Sequence, residues 1–326
     1  MRFGTYFFLQ APPGHRHADI IQRELQQMVW SEQLGFDEVW LTEHHFIDYG
    51  LSVDPATLAS AVASRTSRVR IGLAAAILPF HDPIRLAEQL ALVDIISGGR
   101  LDVGVGRGNR PSEFTGYRIP QVESRERFDE AVQIIQRAWT EERFAYHGRF
   151  FQIPEVRVIP KPLQRPHPPL YQVCVSPDSI ETTALRGWPM LNSILFGGLE
   201  QVVASRDRYV TTLQKAGRSP AEIASLLDHW GVSRQIYVAP TDAQASPRPR
   251  TPRCGTRSRS ASSSFPSGSR TAIPRCSRRS GPWRSGSRRS PGRGSWPRHW
   301  PSARRRRWPA TSSRCARSAS VRCSAG

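Results

Sequence analysis

Two periodicities of apolar residues alternate along most of this chain and predict a regular succession of strands and helices. Short, nearly continuous apolar runs predict seven strands, at Arg2–Leu9, Glu38–Thr42, Val69–Leu78, Leu101–Val105, Leu170–Val175, Leu191–Leu195 and Gln235–Ala239. Apolar residues at helical spacing lie between these runs and predict helices that include Ala18–Leu34, Ser124–Thr140 and Leu199–Ala216. Such alternation is typical of an α/β fold with a parallel sheet.

Three of the predicted helices share a start signal, which is a short polar residue followed by proline. The pairs are Asp54-Pro55, Asp82-Pro83 and Ser176-Pro177. A side-chain oxygen at the N-cap accepts a hydrogen bond from an otherwise unpaired backbone N–H, and proline fits the first helical turn. The signal therefore supports these helix assignments independently of hydrophobic spacing.

The number of strand–helix units favours a barrel over an open sheet. Alternation alone also fits an open doubly wound sheet, but seven regular units favour a TIM (β/α)8-type barrel, whose typical length is about 250 residues. Residues 144–170 are rich in proline and aromatic residues, which predicts an excursion from the repeat that could contain a hairpin. The eighth unit is expected after Asp242, where the sequence changes character, so the predicted barrel is incomplete at its C-terminus.

Composition divides the chain into two parts near residue 245. Residues 246–326 contain 21 arginines, 20 serines and 10 prolines, but no lysine, acidic residue or leucine. The whole chain has 46 basic and 27 acidic residues and a net charge of +19, so removing the tail leaves 25 basic and 27 acidic residues in the body. We therefore expect a near-neutral barrel body, residues 1–245, followed by an Arg/Ser/Pro-rich tail. The body charge argues against a nucleic-acid-binding function for the whole chain.

The tail has two interpretations. A disordered basic arm could bind nucleic acid, because many arginines would release counterions from phosphates. Alternatively, the tail is an out-of-frame translation of GC-rich DNA, which its composition and its abrupt start inside an expected barrel unit favour. A segment with almost no aliphatic residues is not expected to form the eighth strand. Whether a separate nucleic-acid-binding activity exists depends on which interpretation holds.

Cysteine content and hydropathy predict a cytoplasmic protein without a membrane span. The body contains Cys174 alone, and the other four cysteines lie in the tail without a CxxC pair. A single cysteine gives no disulfide framework, which is typical of a reducing compartment. The N-terminal apolar run is too short for a signal peptide, and no apolar run approaches the length of a membrane-spanning helix.

Polar and small residues of chemical interest follow the predicted strands, where the site of a barrel enzyme forms. They occur in the segments Thr42–Phe46, Ala74–Ala76 and Gly104–Asn109. Adjacent histidines are as compatible with a polar loop as with a site, and without further ligands they do not predict a metal. The glycine series does not fit a dinucleotide-binding site, because its spacing is wrong, no helix is predicted directly behind it and no acidic residue ends the following strand.

Several features at the same rim instead predict a ligand with a phosphate and a flat apolar ring. Arg107 and Arg125 can bind phosphate oxygens through charge-assisted hydrogen bonds. Ser176 begins a helix whose N-terminus also favours an anion, and Ser179 in its first turn can contribute. Asp178 lies in the same turn and opposes anion binding.

These motifs resemble the luciferase-like flavin-dependent monooxygenases, the family of the bacterial luciferase alpha subunit, over residues 1–245. The resemblance is carried by Glu43-His44-His45-Phe46, Ala74-Ala75, Gly-x-Gly-Arg-Gly and Ser124-Arg125-x-Arg127-Phe128. It implies FMN, with a cis peptide between Ala74 and Ala75 beneath the flavin ring, and His44 as the catalytic acid/base beside Glu43 and His45. It also implies that Arg107, Arg125, Ser176 and Ser179 hold the phosphate. Val175 departs from the acidic residue that relatives often have.

The implied reaction oxygenates a small organic substrate with O2 through a flavin C4a-hydroperoxide, with reduced FMN supplied by a separate flavin reductase. An alternative on the same barrel is a deazaflavin (F420)-dependent oxidoreductase that transfers hydride. The histidine pair and the two phosphate arginines favour FMN. Whether the chain forms a homodimer or a heterodimer, and which substrate it oxidises, stay open.

Overall fold

A computed structural model describes residues 1–48, 50–193, 198–236 and 238–241. Seven parallel strands form a nearly closed TIM-type barrel. In their order around the sheet, they are β1 (Gly4–Phe7), β2 (Glu38–Leu41), β3 (Arg70–Ile77), β4 (Leu101–Gly106), β7 (Leu170–Val173), β8 (Met190–Ser193) and β9 (Gly231–Ser233). The predicted α/β barrel is therefore confirmed for this part of the chain.

Helices connect the strands. They are α1 (His17–Gln33), α2 (Pro55–Ala63), α3 (Pro83–Ser97), α4 (Pro111–Tyr117), α5 (Ser124–Thr140), α6 (Pro177–Arg186), α7 (Leu199–Lys215) and α8 (Pro220–Asp228). The three predicted N-caps are confirmed, because Asp54, Asp82 and Ser176 each accept a hydrogen bond from a backbone N–H three residues ahead. These caps fix where each chain segment turns from the strand-end rim into its helix.

The predicted excursion contains a hairpin, as expected. Strands β5 (Phe144–His147) and β6 (Gln152–Val156) pair antiparallel and form a separate two-stranded sheet. The glycine at the turn, Gly148, lies against the Glu130 carboxylate, which also accepts hydrogen bonds from the backbone N–H groups of Arg149 and Phe151. The hairpin is thereby attached to α5.

The prediction for the seventh barrel strand is wrong in position. The strand is β9, Gly231–Ser233, and not Gln235–Ala239, and the apolar residues Ile236 and Val238 are 78% and 82% exposed. β9 pairs with β8, and a Cβ at Gly231 would lie 2.6 Å from the Leu191 side chain, so glycine permits the close approach. The position of this strand is therefore set by its packing against β8 and not by the apolar run in the sequence.

Two helices were not predicted. α8 uses the same cap-and-proline start, with Ser219 and Glu222 forming a capping box. α4 begins at Pro111, shortly after β4, so the expectation that no helix opens behind the glycine series is wrong. Its apolar spacing is interrupted by Gly116, where a Cβ would lie 2.3 Å from the Phe46 ring. The unsuitable glycine spacing and the missing acidic residue remain as arguments against a dinucleotide site.

The buried residues form two clusters. The larger cluster fills the space around β1–β4 and includes side chains of α1, α2, α3 and α5. The smaller cluster comprises Cys174, Ile180, Ala184, Met190, Tyr209, Leu213 and Ile223 and packs α6, α7 and α8 together with β8. In the larger cluster, β3 and β4 approach so closely that a Cβ at Gly104 would lie 2.0 Å from the Leu73 carbonyl oxygen. The register between β3 and β4 shifts between Leu73 and Ala76, at the strand end where the site was predicted.

Some sequence predictions fall outside the described residues. They include the end of the predicted sixth strand, the eighth barrel unit after Asp242 and the whole tail, residues 246–326. Within the described ranges, no helix is both long enough and apolar enough to cross a membrane.

Candidate active site at the strand ends

The segments that follow β2, β3, β4 and β7 meet at one rim of the barrel. The histidine side of this rim comprises Glu43, His44, His45, His81, Glu113 and Tyr117. The arginine side comprises Arg107, Arg125, Asp129, Ser176, Asp178, Ser179 and Arg186. Parallel strands point their C-terminal ends the same way, which explains why segments far apart in sequence share this rim.

Glu43 is the centre of the histidine side and is only 2% exposed. Its carboxylate lies 2.9 Å from His45 Nε2 and 3.0 Å from His81 Nε2, and it accepts a hydrogen bond of 2.9 Å from the Ile77 backbone N–H. Burial alone would raise the pKa of Glu43, but these hydrogen bonds lower that pKa below its ordinary value. Glu43 is therefore a charged carboxylate that joins the ends of β2 and β3.

The two histidines that contact Glu43 differ in their surroundings. His45 is 4% exposed, and its Nδ1 lies 2.9 Å from the Tyr117 hydroxyl, so both ring nitrogens have partners. Burial alone would lower the pKa of His81, but the hydrogen bond with Glu43 raises that pKa above its ordinary value. His81 therefore holds a proton beside the Glu43 carboxylate more readily than an isolated histidine would.

His44 is partly buried and has a carboxylate partner that the sequence did not predict. Its Nδ1 lies 3.0 Å from Glu113 Oε1, and the same oxygen accepts a hydrogen bond of 3.1 Å from the His45 backbone N–H. Glu113 is on α4 and is 1% exposed. The His44 ring stacks on Phe8, with 6.1 Å between centroids and 9° between planes. A carboxylate at Nδ1 favours the tautomer that carries the proton there, which leaves Nε2 as the basic nitrogen.

Ala74 and Ala75 lie at the end of β3, and the peptide bond between them is cis, as the family resemblance implied. Both residues are half-buried. The Tyr6 hydroxyl donates a hydrogen bond of 2.9 Å to the Ala74 carbonyl oxygen, and the Tyr6 ring makes an edge contact with Phe8 at 4.9 Å. Because Phe8 also stacks on His44, these contacts connect the alanine pair to the histidine side.

Arginines from three segments line a small cavity on the other side of the rim. Its volume is about 10 Å³, and its lining includes Arg107, Arg125, Arg186, Asp129 and Asp178. Arg125 forms an ion pair with Asp178, and Arg186 forms one with Asp129. The Arg125 hydrogen bond lowers the pKa of Asp178 below its ordinary value, and the charge of Arg107 adds to this effect. Three guanidinium groups thus face two carboxylates, which leaves a positive charge.

Of the two predicted serines, Ser179 lines this cavity, and both are engaged in the cap of α6. Ser176 Oγ accepts a hydrogen bond of 3.3 Å from the Ser179 N–H, and Ser179 Oγ accepts one of 3.1 Å from the Ser176 N–H. The Ser179 hydroxyl also donates to the Ser176 carbonyl oxygen at 2.7 Å. The structure therefore brings Arg107, Arg125 and both serines together, with the serine hydroxyls satisfied within the helix cap.

Sequence reasoning missed Glu113, His81, Tyr117 and Arg186. His81 directly precedes the cap-and-proline start of α3, and its place behind β3 was a usable signal. Glu113 and Tyr117 are on α4, which was not predicted, and Arg186 is at the far end of α6. Among the described residues, no group of three histidine, cysteine or acidic side chains is arranged to hold a metal ion.

A family model places this architecture among known proteins. The model described as luciferase-like monooxygenase matches residues 1–273. The chain belongs to the luciferase-like monooxygenase family. The match extends beyond residue 245, the end of the barrel body predicted from composition.

Individual relatives match between 62% and 75% of this chain. The y4vJ protein of Sinorhizobium fredii is 31% identical over 220 residues, which are 67% of this chain and 62% of that protein. The alkanal monooxygenase alpha chain of the Kryptophanaron alfredi symbiont is 30% identical over 62% of this chain and 56% of that protein. The oxygenase component of the flavin-dependent trigonelline monooxygenase of Acinetobacter baylyi is 28% identical over 75% of this chain and 67% of that protein. The chain thus spans less than two thirds of the first two relatives.

Solved structures show the same barrel. Monooxygenase RslO1 from Streptomyces bottropensis shares 37% identity at a TM-score of 0.63, with 68% of each chain covered. The oxygenating constituent of 3,6-diketocamphane monooxygenase from Pseudomonas putida, in complex with FMN, has a TM-score of 0.68 at 21% identity, covering 75% and 69%. An F420-dependent secondary alcohol dehydrogenase has a TM-score of 0.58 at 20% identity, covering 68% and 66%. At these identities the last two show a shared fold alone.

Proposed function

We propose that this chain is the oxygenase component of a two-component, FMN-dependent monooxygenase that inserts one atom of O2 into a small organic substrate. The observation that carries the proposal is the His44–Glu113 pair, joined through Phe8 and Tyr6 to the Ala74–Ala75 pair on a luciferase-like barrel. FMN would be supplied reduced by a separate flavin reductase, since a relative is named as an oxygenase component. We further propose a cytoplasmic location, where such a reductase and a reduced Cys174 would coexist.

The residues on the arginine side fit the phosphate of FMN. Arg107 and Arg125 supply donors that can bind phosphate oxygens in pairs, and the positive charge of the cavity favours a dianion. Ser176 and Ser179 would hold the α6 N-terminus in place for this contact. The apolar surface of Ala74 and Ala75 would lie against the flavin ring. When bound, reduced FMN supplies the electrons that activate O2, and the protein orients the reactants and excludes water.

His44 is the residue that we propose moves a proton. The Glu113 carboxylate fixes the His44 ring through Nδ1, so Nε2 would accept a proton from the reacting group or return one to it. Glu43 and His45 were predicted as catalytic residues beside His44. Because both are almost fully buried and bound to other side chains, we assign them a positioning role, in which they hold the segment that carries His44.

A groove next to the segment that carries His44 favours a substrate with an apolar portion. Its volume is about 420 Å³, and its walls include the apolar residues Ile21, Phe46, Leu51 and Val53 besides the polar His17 and Asp48. Gly50 also lines this groove, and a Cβ at that position would lie 2.9 Å from His44 Cβ, so the groove borders the backbone near His44. We propose that the organic substrate approaches through this groove.

The first test replaces His44 with alanine in the full chain and compares it with His147→Ala, a matched change at an exposed histidine of the β5–β6 hairpin. FMN binding is measured by quenching of flavin fluorescence, and oxygenation is measured with reduced FMN, O2 and a long-chain aldehyde or ketone probe. We expect product formation to fall at least about 100-fold in His44→Ala, as for loss of a general acid/base, with FMN affinity and the control variant unchanged.

Two results would contradict the proposal in different ways. Equal product yield from wild type and His44→Ala would remove the role of His44. Binding of F420 in preference to FMN would instead support hydride transfer, the alternative on the same barrel.

Resequencing the DNA around codons 240–250 tests the tail separately, because another frame that continues with acidic and leucine-containing helices would identify residues 246–326 as out of frame.

A further inference from the structure

The arginine side already contains an anion of its own. The cavity between Arg107, Arg125 and Arg186 is small, with a volume of about 10 Å³. The Asp178 carboxylate lines it and pairs with Arg125. A phosphate that binds Arg125 must therefore take the place of this carboxylate.

The Arg125–Asp178 pair is the part of the cavity that can move most easily. The two side chains are 48% and 56% exposed, whereas the Arg186 side chain is 21% exposed and is also held by Gln172 at 2.8 Å. Exposed ion pairs contribute little net free energy because water solvates the separated charges well. Asp178 is also ionised under ordinary conditions, because Arg125 lowers its pKa.

The serine donors at this point are already engaged. Both serine hydroxyls and the Ser179 N–H form hydrogen bonds within the α6 cap, and Pro177 has no N–H. An arriving phosphate must therefore take its strongest contacts from the guanidinium groups. It would compete with Asp178 for Arg125 and would be repelled by the Asp178 charge until that side chain swings away.

We propose that Asp178 is an internal competitor that determines how tightly the arginine side binds a phosphate. A phosphate that binds Arg125 displaces the Asp178 carboxylate from it, and this exchange weakens phosphate binding. This inference rests on the proposed function in that it takes the phosphate of FMN to be the physiological anion.

The test compares Asp178→Asn with Glu181→Gln in the full chain. Glu181 is on the same helix and forms an ion pair of similar exposure with Arg208, but it does not line the cavity. Dissociation constants are measured for FMN by fluorescence quenching, for riboflavin in the same way, and for inorganic phosphate by calorimetry. We expect Asp178→Asn to bind FMN and phosphate about three- to tenfold more tightly at low salt, with riboflavin unchanged and Glu181→Gln like the wild type.

The possible outcomes separate this inference from the proposed function. Equal or weaker binding of FMN and phosphate by Asp178→Asn, or equal tightening in Glu181→Gln, would overturn the competition while leaving FMN as cofactor. If no variant bound FMN but Asp178→Asn bound phosphate more tightly, the competition would stand and the proposed cofactor would fail. Thermal unfolding midpoints of both variants report whether either substitution disturbs α6.

Discussion

The histidine side and the arginine side share one rim, yet their carboxylates are used in opposite ways. Glu43 and Glu113 are 2% and 1% exposed, and each accepts hydrogen bonds from more than one group. The Asp178 side chain is 56% exposed and pairs with Arg125. A buried charge must keep its partners, because losing them in a medium of low dielectric constant is costly, whereas an exposed charge can exchange its partner for water.

The difference suggests a division of work between the two sides. A fixed network would suit the proton transfer proposed for His44, which depends on the position and tautomer of its ring. A movable ion pair would suit the proposed FMN cofactor, because in the proposed function this cofactor arrives reduced and leaves oxidised, so its contacts would form and break in each cycle. The predictions below test whether the two sides differ in this manner.

The largest effect is expected from Glu43→Ala. The substitution leaves His45, His81 and the Ile77 N–H without their shared carboxylate, and breaking a buried charged pair costs about 3–5 kcal/mol. Denaturant unfolding should therefore show a loss of this size in the free energy of unfolding. A loss below about 1 kcal/mol, the range of exposed pairs, would remove the contrast between the two sides.

A smaller effect is expected on the pH dependence of stability, to which the Glu43–His81 pair contributes. The pKa of Glu43 is lowered from 4.5, so its contribution to stability is present above pH 4.5 and is lost as pH falls through the folded-state pKa. The pKa of His81 is raised from 6.5, so its contribution is present below pH 6.5 and is lost as pH rises through the folded-state pKa. The pair should stabilise the protein most between these values.

The measurement for this prediction is the difference in unfolding free energy between wild type and His81→Gln as a function of pH. The difference should be largest near pH 5.5, midway between the two reference values, and should shrink as the solution becomes alkaline. A difference that stays constant up to pH 9 would mean that His81 contributes through packing and not through its charge.

The smallest effect on stability is expected from Arg125→Ala. Its exposed ion pair with Asp178 is worth about 0–1 kcal/mol, so the unfolding free energy should change little. FMN affinity should nevertheless fall about tenfold, because a charge-assisted contact to phosphate is lost. Arg143→Ala, which removes another exposed pair, with Glu155, is the matched control and should change neither quantity. A destabilisation of Arg125→Ala comparable to that of Glu43→Ala would show that the arginine side is as rigid as the histidine side.

Much of the fold could be predicted because its signals are local. Apolar runs located β2, β3 and β4 to within one or two residues, and the cap-and-proline pairs located the starts of α2, α3 and α6. β9 could not be located in this way. Its position depends on pairing with β8 and on the space that Gly231 leaves for Leu191, and no local pattern expresses that contact.

The same distinction between local signals and long-range contacts applies to the candidate site. The sequence by itself determined the barrel and the rim at its strand ends, and its motifs placed Glu43, His44, Arg107 and Arg125 at that rim. These features depend on residues that are neighbours in the sequence, which set the strands and the turns that follow them. Only the tertiary structure decided which charges meet. Glu113 lies 3.0 Å from His44 although 69 positions separate them, and Asp178 pairs with Arg125 across 53 positions. Such pairings are decided by how helices pack around a closed sheet, and that packing depends on contacts between residues distant in the sequence.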